Sequence, residues 1–275
     1  MTRQPPRPLK RLGQHFLVDP NIVRKIVAVA KIRPDETVLE IGPGRGSLTR
    51  SLCAAAKTVI AVEVDQQLVA YLEETFGDCR NLDLRAGDAL KFSYESLPEG
   101  TVVVANLPYN VSTPLLFKLL DARERIDRMV LMLQTEVARR LVARPATADY
   151  GVLSVLTQRA AEVALAFQVS PSCFRPKPEV GSAVVSLVTR TPPSGGVADE
   201  GRFVRIVRAA FAHRRKTLAN SLRDEGLPSD RVALALAEAG IEPGRRAETL
   251  TLTEFASLAK AWAGGEEPTA VADEL

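Results

Sequence analysis

A proline-containing turn, Asn106-Leu-Pro-Tyr109, carries groups suited to holding a planar aromatic amine. Such an amine is a poor nucleophile because its lone pair is delocalised into the ring. Two acceptors, the side-chain oxygen of Asn106 and the carbonyl of Leu107, could take both of its N–H bonds and favour a pyramidal, nucleophilic nitrogen. Pro108 restricts the backbone before it and so gives this carbonyl a fixed direction. Tyr109 offers a ring for stacking, a contact typically worth ~1–3 kcal/mol.

A glycine-rich turn and two later acidic residues could hold a nucleoside. The segment Glu40-Ile-Gly-Pro-Gly-Arg-Gly46 has its glycines spaced G-x-G-x-G. Glycine lets the backbone turn sharply and approach a ligand closely. Glu63 stands 21 residues after Gly42, where a carboxylate can accept both ribose hydroxyls. Asp88, in Ala86-Gly-Asp88, is placed to accept from an adenine amino group.

Alternating strands and helices are predicted to position these residues. We expect strands at Thr37–Ile41, Val59–Val62, Leu82–Ala86, Thr101–Ala105 and Arg128–Leu133. Helices are expected at 21–31, from Gly46 to about Ala56, and at 66–76, 114–120 and 135–142. This alternation predicts a parallel α/β sheet, which binds ligands at the carboxyl ends of its strands. Val163–Val169 and Ala183–Val188 have no long helix between them, which predicts an antiparallel hairpin at the sheet edge.

A segment rich in proline and glycine, Thr191-Pro-Pro-Ser-Gly-Gly196, separates this pattern from a purely helical one. The predicted helices beyond it are 203–212, 217–223, 229–239 and 253–262. We therefore expect a basic N-terminal arm and helix at 1–34, an α/β domain at 35–190 and a linker at 191–200. A small helical domain at 201–263 and a flexible acidic tail at 264–275 complete the predicted organisation.

The charge of the chain is nearly balanced in total, with 36 basic and 33 acidic side chains, but it is unevenly distributed. Residues 1–34 carry eight basic side chains against one acidic, and residues 201–225 carry seven against two. Two basic blocks on a mildly acidic body are expected of a surface that faces phosphates. Two solvated faces would show the same charge pattern.

Several other classes of site lack support in the sequence. Cys53, Cys79 and Cys173 are odd in number and widely spaced, which indicates free thiols in a reducing compartment. His15 and His213 lie far apart in the sequence, without a cluster of metal ligands, so we expect no metal. There is no G-x-S-x-G segment of a hydrolytic nucleophile. No apolar run approaches the ~18 residues of a membrane span, so no membrane partner is expected.

The motifs together resemble a known family. The glycine turn with its preceding acid resembles motif I of the S-adenosylmethionine (AdoMet)-dependent methyltransferases. Asn106–Tyr109 resembles the N-[LIP]-P-[YF] signature of enzymes that methylate exocyclic amines of nucleobases. Four further segments, Lys10–Leu17, Phe174–Ser182, Phe211–Thr217 and Arg246–Leu250, extend the likeness over almost the whole chain. The set is similar to the ribosomal RNA adenine dimethylases, and within them to the small-subunit enzymes.

This resemblance implies a Rossmann-like AdoMet-dependent methyltransferase sheet with a small all-helical C-terminal domain. It also implies dimethylation of two adjacent adenosines in the 3′-terminal hairpin of 16S rRNA, late in small-subunit assembly. We expect a cytoplasmic monomer that acts on small-subunit rRNA within a pre-30S particle. The implied cofactor residues are His15, Leu17, Gly42, Gly44, Glu63, Asp88 and Asn106. Asn106, Leu107, Pro108 and Tyr109 would present the base, with Phe174 on its other face. The predicted RNA contacts are Lys10, Arg11, Arg214, Arg215 and Lys216.

Three other functions are compatible with part of this pattern. A large-subunit adenine methyltransferase of the erythromycin-resistance type has the same chemistry, but Phe211–Thr217 favours the small-subunit enzymes. A nicotinamide oxidoreductase shares the strand, the glycine turn and Glu63, yet it has no use for Asn106–Tyr109. The third function is that of an RNA-binding assembly factor whose methylation is secondary. The departures from the family pattern, at Arg45, Gly46 and His213, do not touch the chemistry.

Overall fold

The computed structural model describes residues 4–9 and 12–262. They form two compact units. One comprises the chain up to Val142 together with Ala160–Pro192, and the other comprises Ala143–Arg159 with the chain from Pro193 onward. Within the described ranges, no helix combines the length and the apolar character needed to cross a membrane.

The first unit contains a mostly parallel sheet and the helices between its strands. The strands are β1 (Phe16–Leu17), β2 (Thr37–Ile41), β3 (Thr58–Glu63), β4 (Leu82–Ala86), β5 (Thr101–Asn106), β6 (Ile126–Gln134), β7 (Ala161–Val169), β8 (Phe174–Arg175) and β9 (Ser182–Thr189). The helices are α1 (Pro20–Ala30), α2 (Thr49–Ala55), α3 (Gln66–Phe76), α4 (Ser112–Asp121) and α5 (Thr135–Val142).

Seven of these strands form one sheet in the order β4-β3-β2-β5-β6-β9-β7. The strands from β4 to β6 are parallel, with Leu39 opposite Ile60 on one side and Val103 on the other. Helices cover a parallel sheet on both faces, so its central strands are continuously apolar. Val38, Val59 and Val102 are accordingly fully buried. The strand order reverses between β2 and β5, and ligands bind such sheets at this point.

The last two strands of the sheet are antiparallel to their neighbours, as the sequence predicted. β9 pairs with β6, and β7 pairs with β9 and forms the edge. The Rossmann-like α/β fold expected from the alternation of elements is confirmed by this arrangement.

Capping residues fix the starts of the helices that precede and follow the glycine turn. The side chain of Asp19 accepts a hydrogen bond from the backbone of Asn21 and begins α1, with Pro20 in the first turn. Asp65 accepts from the backbone of Gln67 and begins α3 in the same way. These caps satisfy amide groups that have no partner within the helix.

A two-stranded antiparallel ribbon joins the N-terminal segment to the loop after β7. β1 pairs with β8, with Leu17 opposite Phe174 and Phe16 opposite Arg175. This ribbon was not predicted, because strands of two residues have no periodicity to detect. It brings together residues more than 150 positions apart in the sequence.

The second unit is helical in the described residues. Its helices are α6 (Val152–Ala160, with Ala160 assigned to the first unit), α7 (Glu200–Phe211), α8 (Leu218–Asp224), α9 (Ser229–Glu238) and α10 (Leu252–Ala261). Phe203, Leu222, Val232 and Phe255 are fully buried where α7, α8, α9 and α10 pack against one another. The predicted tail at 264–275 lies outside the described residues.

Candidate active site

A cavity of about 220 Å³ lies at the carboxyl ends of β2, β3 and β5. It is lined by most of the residues that the sequence assigned to a cofactor or a base. These are His15, Gly42, Gly44, Glu63, Asp88, Asn106, Leu107, Pro108 and Tyr109. The structure thus brings into one site side chains from five separate segments of the chain.

The glycine turn forms one wall of this cavity. Gly42 has φ +66°, in the left-handed region that favours glycine, and its N–H donates to the carbonyl of Val62 at 2.9 Å. At Gly44 an added Cβ would lie 3.0 Å from the ring of Phe16. Glycine at these two positions therefore keeps the backbone close to both β3 and the N-terminal segment.

Glu63 is held by the backbone around it. It is 4% exposed, and its Oε2 accepts from the N–H of Gly44 at 3.1 Å while its Oε1 accepts from the N–H of Asp65 at 3.0 Å. Burial raises the pKa of this carboxyl, and the two backbone hydrogen bonds oppose that rise. Each carboxylate oxygen can accept more than one hydrogen bond, so Glu63 keeps acceptor capacity towards the cavity.

Glu40 is a buried carboxyl in the strand that leads into the glycine turn. It is 1% exposed, and the hydroxyl of Thr49 donates to its Oε2 at 2.7 Å. Burial raises the pKa of Glu40 to about 8, and the nearby charge of Glu63 adds to the rise. Glu40 is therefore mostly neutral at pH 7, and it ties β2 to the first turn of α2.

Asp88 stands at the end of β4 and is exposed. Its Oδ1 accepts from the N–H of Leu90 at 2.9 Å and begins a single 3₁₀ turn. No other hydrogen bond of the Asp88 carboxylate is found among the described residues. One oxygen is thus a local cap, and the second is available to an amino group in the cavity.

The Asn106–Tyr109 turn is oriented by hydrogen bonds to three neighbouring segments. The Nδ2 of Asn106 donates to the carbonyl of His15 at 3.1 Å, which leaves its Oδ1 as the free acceptor. The N–H of Leu107 donates to the carbonyl of Met132 at 3.1 Å. The hydroxyl of Tyr109 lies 2.6 Å from that of Ser182, and burial raises the pKa of this phenol. The turn therefore presents fixed acceptors to the cavity.

His15 makes contacts that were not predicted from its position in the sequence. Its Nδ1 donates to the carbonyl of Pro176 at 2.9 Å, and its ring stacks on that of Tyr109 with centroids 5.5 Å apart. Its carbonyl is the acceptor for Asn106. His15 thus links the Asn106–Tyr109 turn to the Phe174–Ser182 loop.

Gln14 and Asp65 also contribute to the site but were not singled out. The Nε2 of Gln14 donates to the Asp65 carboxylate at 3.0 Å and so fastens the N-terminal segment to the start of α3. In the sequence, nothing about either residue type distinguishes it from other polar residues near the start of a helix. Only the fold makes them neighbours.

Two predicted site residues do not line the main cavity. Phe174 is fully buried, packed in the apolar core with Leu17, Val23 and Ile26. Its pairing opposite Leu17 turns its ring into this core, so the structure does not present Phe174 to the cavity. Leu17 is also buried, but it borders a smaller adjoining cavity, and its carbonyl accepts from the Ser47 hydroxyl at 2.6 Å.

None of the predicted RNA contacts is among the described residues that line the cavity. Lys10 and Arg11 lie outside the described residues. Arg214, Arg215 and Lys216 are exposed in the second unit. Arg214 donates to the carbonyl of Ala148 and Lys216 pairs with Asp224, whereas Arg215 has no side-chain partner within the described ranges.

The sequence is similar to known proteins over nearly its whole length. Residues 8–263 match the family model described as Ribosomal RNA adenine dimethylase. The chain is 49% identical over 264 residues to the Ribosomal RNA small subunit methyltransferase A of Moorella thermoacetica, with 92% of each chain covered. It is 46% identical over 262 residues to the protein of the same name from Geobacter metallireducens, covering 93% of this chain and 95% of that one.

Two solved structures resemble the whole described chain. A dimethyladenosine transferase from Plasmodium falciparum has a TM-score of 0.79 and 29% identity, covering 89% of this chain and 96% of that one. The 23S rRNA methyltransferase ErmE has a TM-score of 0.69 and 28% identity, covering 90% and 98%.

Proposed function

Because this chain belongs to the ribosomal RNA adenine dimethylase family, we propose that it is an AdoMet-dependent rRNA methyltransferase. It dimethylates the exocyclic amine of two adjacent adenosines in the 3′-terminal hairpin of 16S rRNA. The observation that carries this proposal is the Asn106–Tyr109 turn, which places two amine acceptors and an aromatic ring on the cavity.

The residues of the cavity fit the proposed cofactor. Glu63 is fixed by two backbone donors and retains acceptor capacity for the two hydroxyls of a ribose. Asp88 has a carboxylate oxygen free for the amino group of an adenine. The turn at Gly42 and Gly44 has no side chain to block the rest of the nucleoside. AdoMet, when bound, supplies an electrophilic methyl group on a sulfonium.

The chain's own residues then activate the amine by position. The Oδ1 of Asn106 and the carbonyl of Leu107 accept the two N–H bonds of the target amine, which draws its lone pair out of conjugation. Pro108 fixes the direction of that carbonyl. The amine becomes acidic only as the new bond forms, so no strong general base is needed. Most of the rate enhancement then comes from holding the reacting groups in line.

The target base must leave its stack before these acceptors can reach it. Tyr109 provides one stacking face, but its ring lies against that of His15. The incoming base therefore stacks on the other side of Tyr109 or displaces His15. Phe174 stays a predicted second face, and using it would require β8, which contains it, to move away from the core.

Small-subunit rRNA is the proposed substrate, in preference to large-subunit RNA. The curated relatives that match nearly the full chain carry the small-subunit name, and they are more similar to this chain than ErmE is. We further propose a cytoplasmic monomer that acts on a pre-30S particle during ribosome biogenesis. The exposed basic run at Arg214–Lys216 would contact the RNA backbone in that particle.

A role in assembly could accompany the chemistry. If the protein also monitors immature subunits, Asn106→Ala should remain bound to them while it loses methyl transfer. If this variant no longer binds the subunits, the result would contradict a separate role in assembly.

Incubation with labelled AdoMet and undermethylated small and large subunits tests the proposal, followed by nucleoside analysis of each RNA. We expect label in 16S rRNA as N6,N6-dimethyladenosine. Label only in large-subunit RNA would show the alternative substrate, and label that stops at monomethyladenosine would contradict dimethylation.

A further inference from the structure

A second groove, separate from the main cavity, is lined by three arginines of the first unit. Arg24 comes from α1, Arg45 from the glycine turn and Arg50 from α2, around a space of about 400 Å³. The hydroxyl-bearing residues Ser51 and Tyr71 line the same space. Neither the motifs nor the proposed chemistry uses this groove, which we call the arginine groove.

The three arginines have no acidic partner. None of them forms an ion pair with the described residues, and no aspartate or glutamate lines the groove. Arg24 donates to the side chain of Asn21, and Arg45 donates to the carbonyl of Pro6 at 2.7 Å. The Nε of Arg45 is buried and has no hydrogen-bond partner within the described ranges. The groove therefore concentrates positive charge that the described residues do not neutralise.

Two of the guanidinium groups are held by aromatic rings. Arg45 lies over the ring of Phe16 at 4.5 Å from its centroid, and Arg50 lies over that of Phe76 at 5.1 Å. Stacking of this kind fixes the plane of the guanidinium and leaves its edge donors free. A planar fork of N–H donors matches the geometry of phosphate oxygens. The arginine groove is thus prepared for a tetrahedral anion.

The arginine groove and the main cavity meet at the glycine turn. A small cavity between them is bordered by Gly42 and Gly44, which also line the main cavity, and by Arg45 and Ser47, which also line the groove. The glycine turn is therefore shared by the walls that separate the main cavity from the arginine groove.

We propose that the arginine groove binds a phosphodiester of the rRNA strand that carries the target adenosine. This inference rests on the proposed function, since it takes the same RNA as ligand. The groove would contact the RNA backbone beside the glycine turn, on the unit that performs the chemistry. This contact would be in addition to the one proposed for the basic run of the second unit.

The test removes two exposed arginines and leaves the glycine turn intact. The test variant carries both Arg24→Ala and Arg50→Ala. The control variant carries both Lys57→Ala and Arg125→Ala, which removes an exposed and a partly exposed cation at the amino ends of β3 and β6. Binding to undermethylated small subunits is measured between about 50 and 300 mM KCl, and AdoMet affinity is measured as a check on folding.

We expect the Arg24/Arg50 variant to lose roughly tenfold in RNA affinity at 100 mM KCl, about threefold for each solvent-exposed charge contact. The slope of log affinity against log salt should flatten by about 0.7–0.9 for each phosphate that the variant no longer neutralises. Its AdoMet affinity should equal that of the wild type, and its KM for subunits should rise more than its kcat falls. The Lys57/Arg125 control should keep the wild-type salt slope.

An Arg24/Arg50 variant with the affinity and salt slope of the control would overturn the inference. The inference would also be wrong if millimolar inorganic phosphate bound the groove and left the affinity for RNA unchanged. The ligand of the groove would then be a free anion. If the double variant folds poorly, Arg50→Glu alone should weaken RNA binding by more than threefold, and unchanged binding by it would equally refute the groove.

The substrate of methylation and the RNA contact of the groove are tested by different measurements. If the wild type methylates only large-subunit RNA, the proposed substrate is wrong. A selective loss of affinity for that RNA in the Arg24/Arg50 variant would still support the arginine groove.

Discussion

Replacing Glu40 by glutamine should stabilise the protein at pH 9 and leave its stability almost unchanged at pH 5. Glu40 is buried in β2 and hydrogen-bonded by Thr49, and its pKa is raised to about 8 from an ordinary value of 4.5. Its neutral form is therefore the one the fold favours. Glutamine has nearly the same shape, keeps an acceptor for Thr49 and carries no charge at any pH.

The size of the effect follows from the two pKa values. Below about pH 4.5 the carboxyl is protonated in both the folded and the unfolded chain, and the stabilising preference for the neutral form is fully present. As the pH rises, the unfolded chain ionises first, and stability is lost until the pH passes about 8. At ~1.4 kcal/mol per pKa unit, the total loss is about 5 kcal/mol. The glutamine variant avoids this loss.

Urea unfolding of both proteins without cofactor, at pH 5 and pH 9, measures the difference. Groups that do not interact with Glu40 titrate alike in the two proteins, so their contributions cancel at each pH. Glu99→Gln, at a side chain 80% exposed, serves as the control for the same substitution at the surface. An equal effect of Glu40→Gln at both pH values, or a larger gain at pH 5, would refute the assignment of Glu40 as a neutral buried acid.

Four further substitutions, at three positions, test contacts in the fold and the site. Arg128→Met should destabilise the protein by about 1.5–3 kcal/mol at pH 7, because Arg128 binds both oxygens of the buried Glu36 at 2.9 and 2.7 Å, although Arg33 stays paired with this carboxylate. That hydrogen bond lowers the pKa of Glu36, so the urea-unfolding difference should shrink as the pH falls through this lowered value. Arg159→Met should lower stability in thermal unfolding by a similar amount, since Arg159 is 1% exposed and pairs with Glu200; an unchanged midpoint would contradict this. In subunit methylation assays Tyr109→Phe should stay within about tenfold of wild-type kcat/KM, the loss of one hydrogen bond, whereas Tyr109→Ala should lose a further ~1–3 kcal/mol of stacking. Equal activity of the two variants would remove the stacking role.

The α/β part of the fold could be predicted because its signals are local. The helix at Gln66–Phe76 and the strands at Thr37–Ile41 and Leu82–Ala86 have the bounds expected from their apolar patterns. The central strands β3 and β5 are apolar runs because they are buried on both faces, and Asp19-Pro20 marks the start of α1. The family expected from the motifs is confirmed by the family model and the curated relatives.

Helix α6 was not predicted, because its polar residues do not mark a solvent face. Ser154, Thr157 and Arg159 are all buried, so the amphipathic pattern of a surface helix is missing. Arg159 is buried only because Glu200 and the carbonyls of Ser194 and Val197 receive its hydrogen bonds. Those partners lie 35–41 residues further along the chain, beyond the reach of a local pattern.

Long-range pairing also decided which candidate site residues meet. Gly42 follows β2, whereas Glu63 and Asn106 end β3 and β5, so their convergence could be inferred from the predicted alternation of strands and helices. Phe174 precedes a proline-rich loop that suggested exposure, but its pairing with Leu17 turns it into the core. The contacts of His15 depend on the same ribbon and could not be inferred from sequence.

The most direct test of the central claim maps methyl groups on 16S rRNA. Undermethylated small subunits are incubated at saturating AdoMet with wild type or with Asn106→Ala, and rRNA fragments are analysed by mass spectrometry. We predict two adjacent dimethyladenosines near the 3′ end with the wild type. With Asn106→Ala the rate should be about 10²–10³-fold lower, as for the loss of one preorganised hydrogen-bonding group at a reacting centre. Methylation at other positions, or at an undiminished rate by Asn106→Ala, would contradict the account.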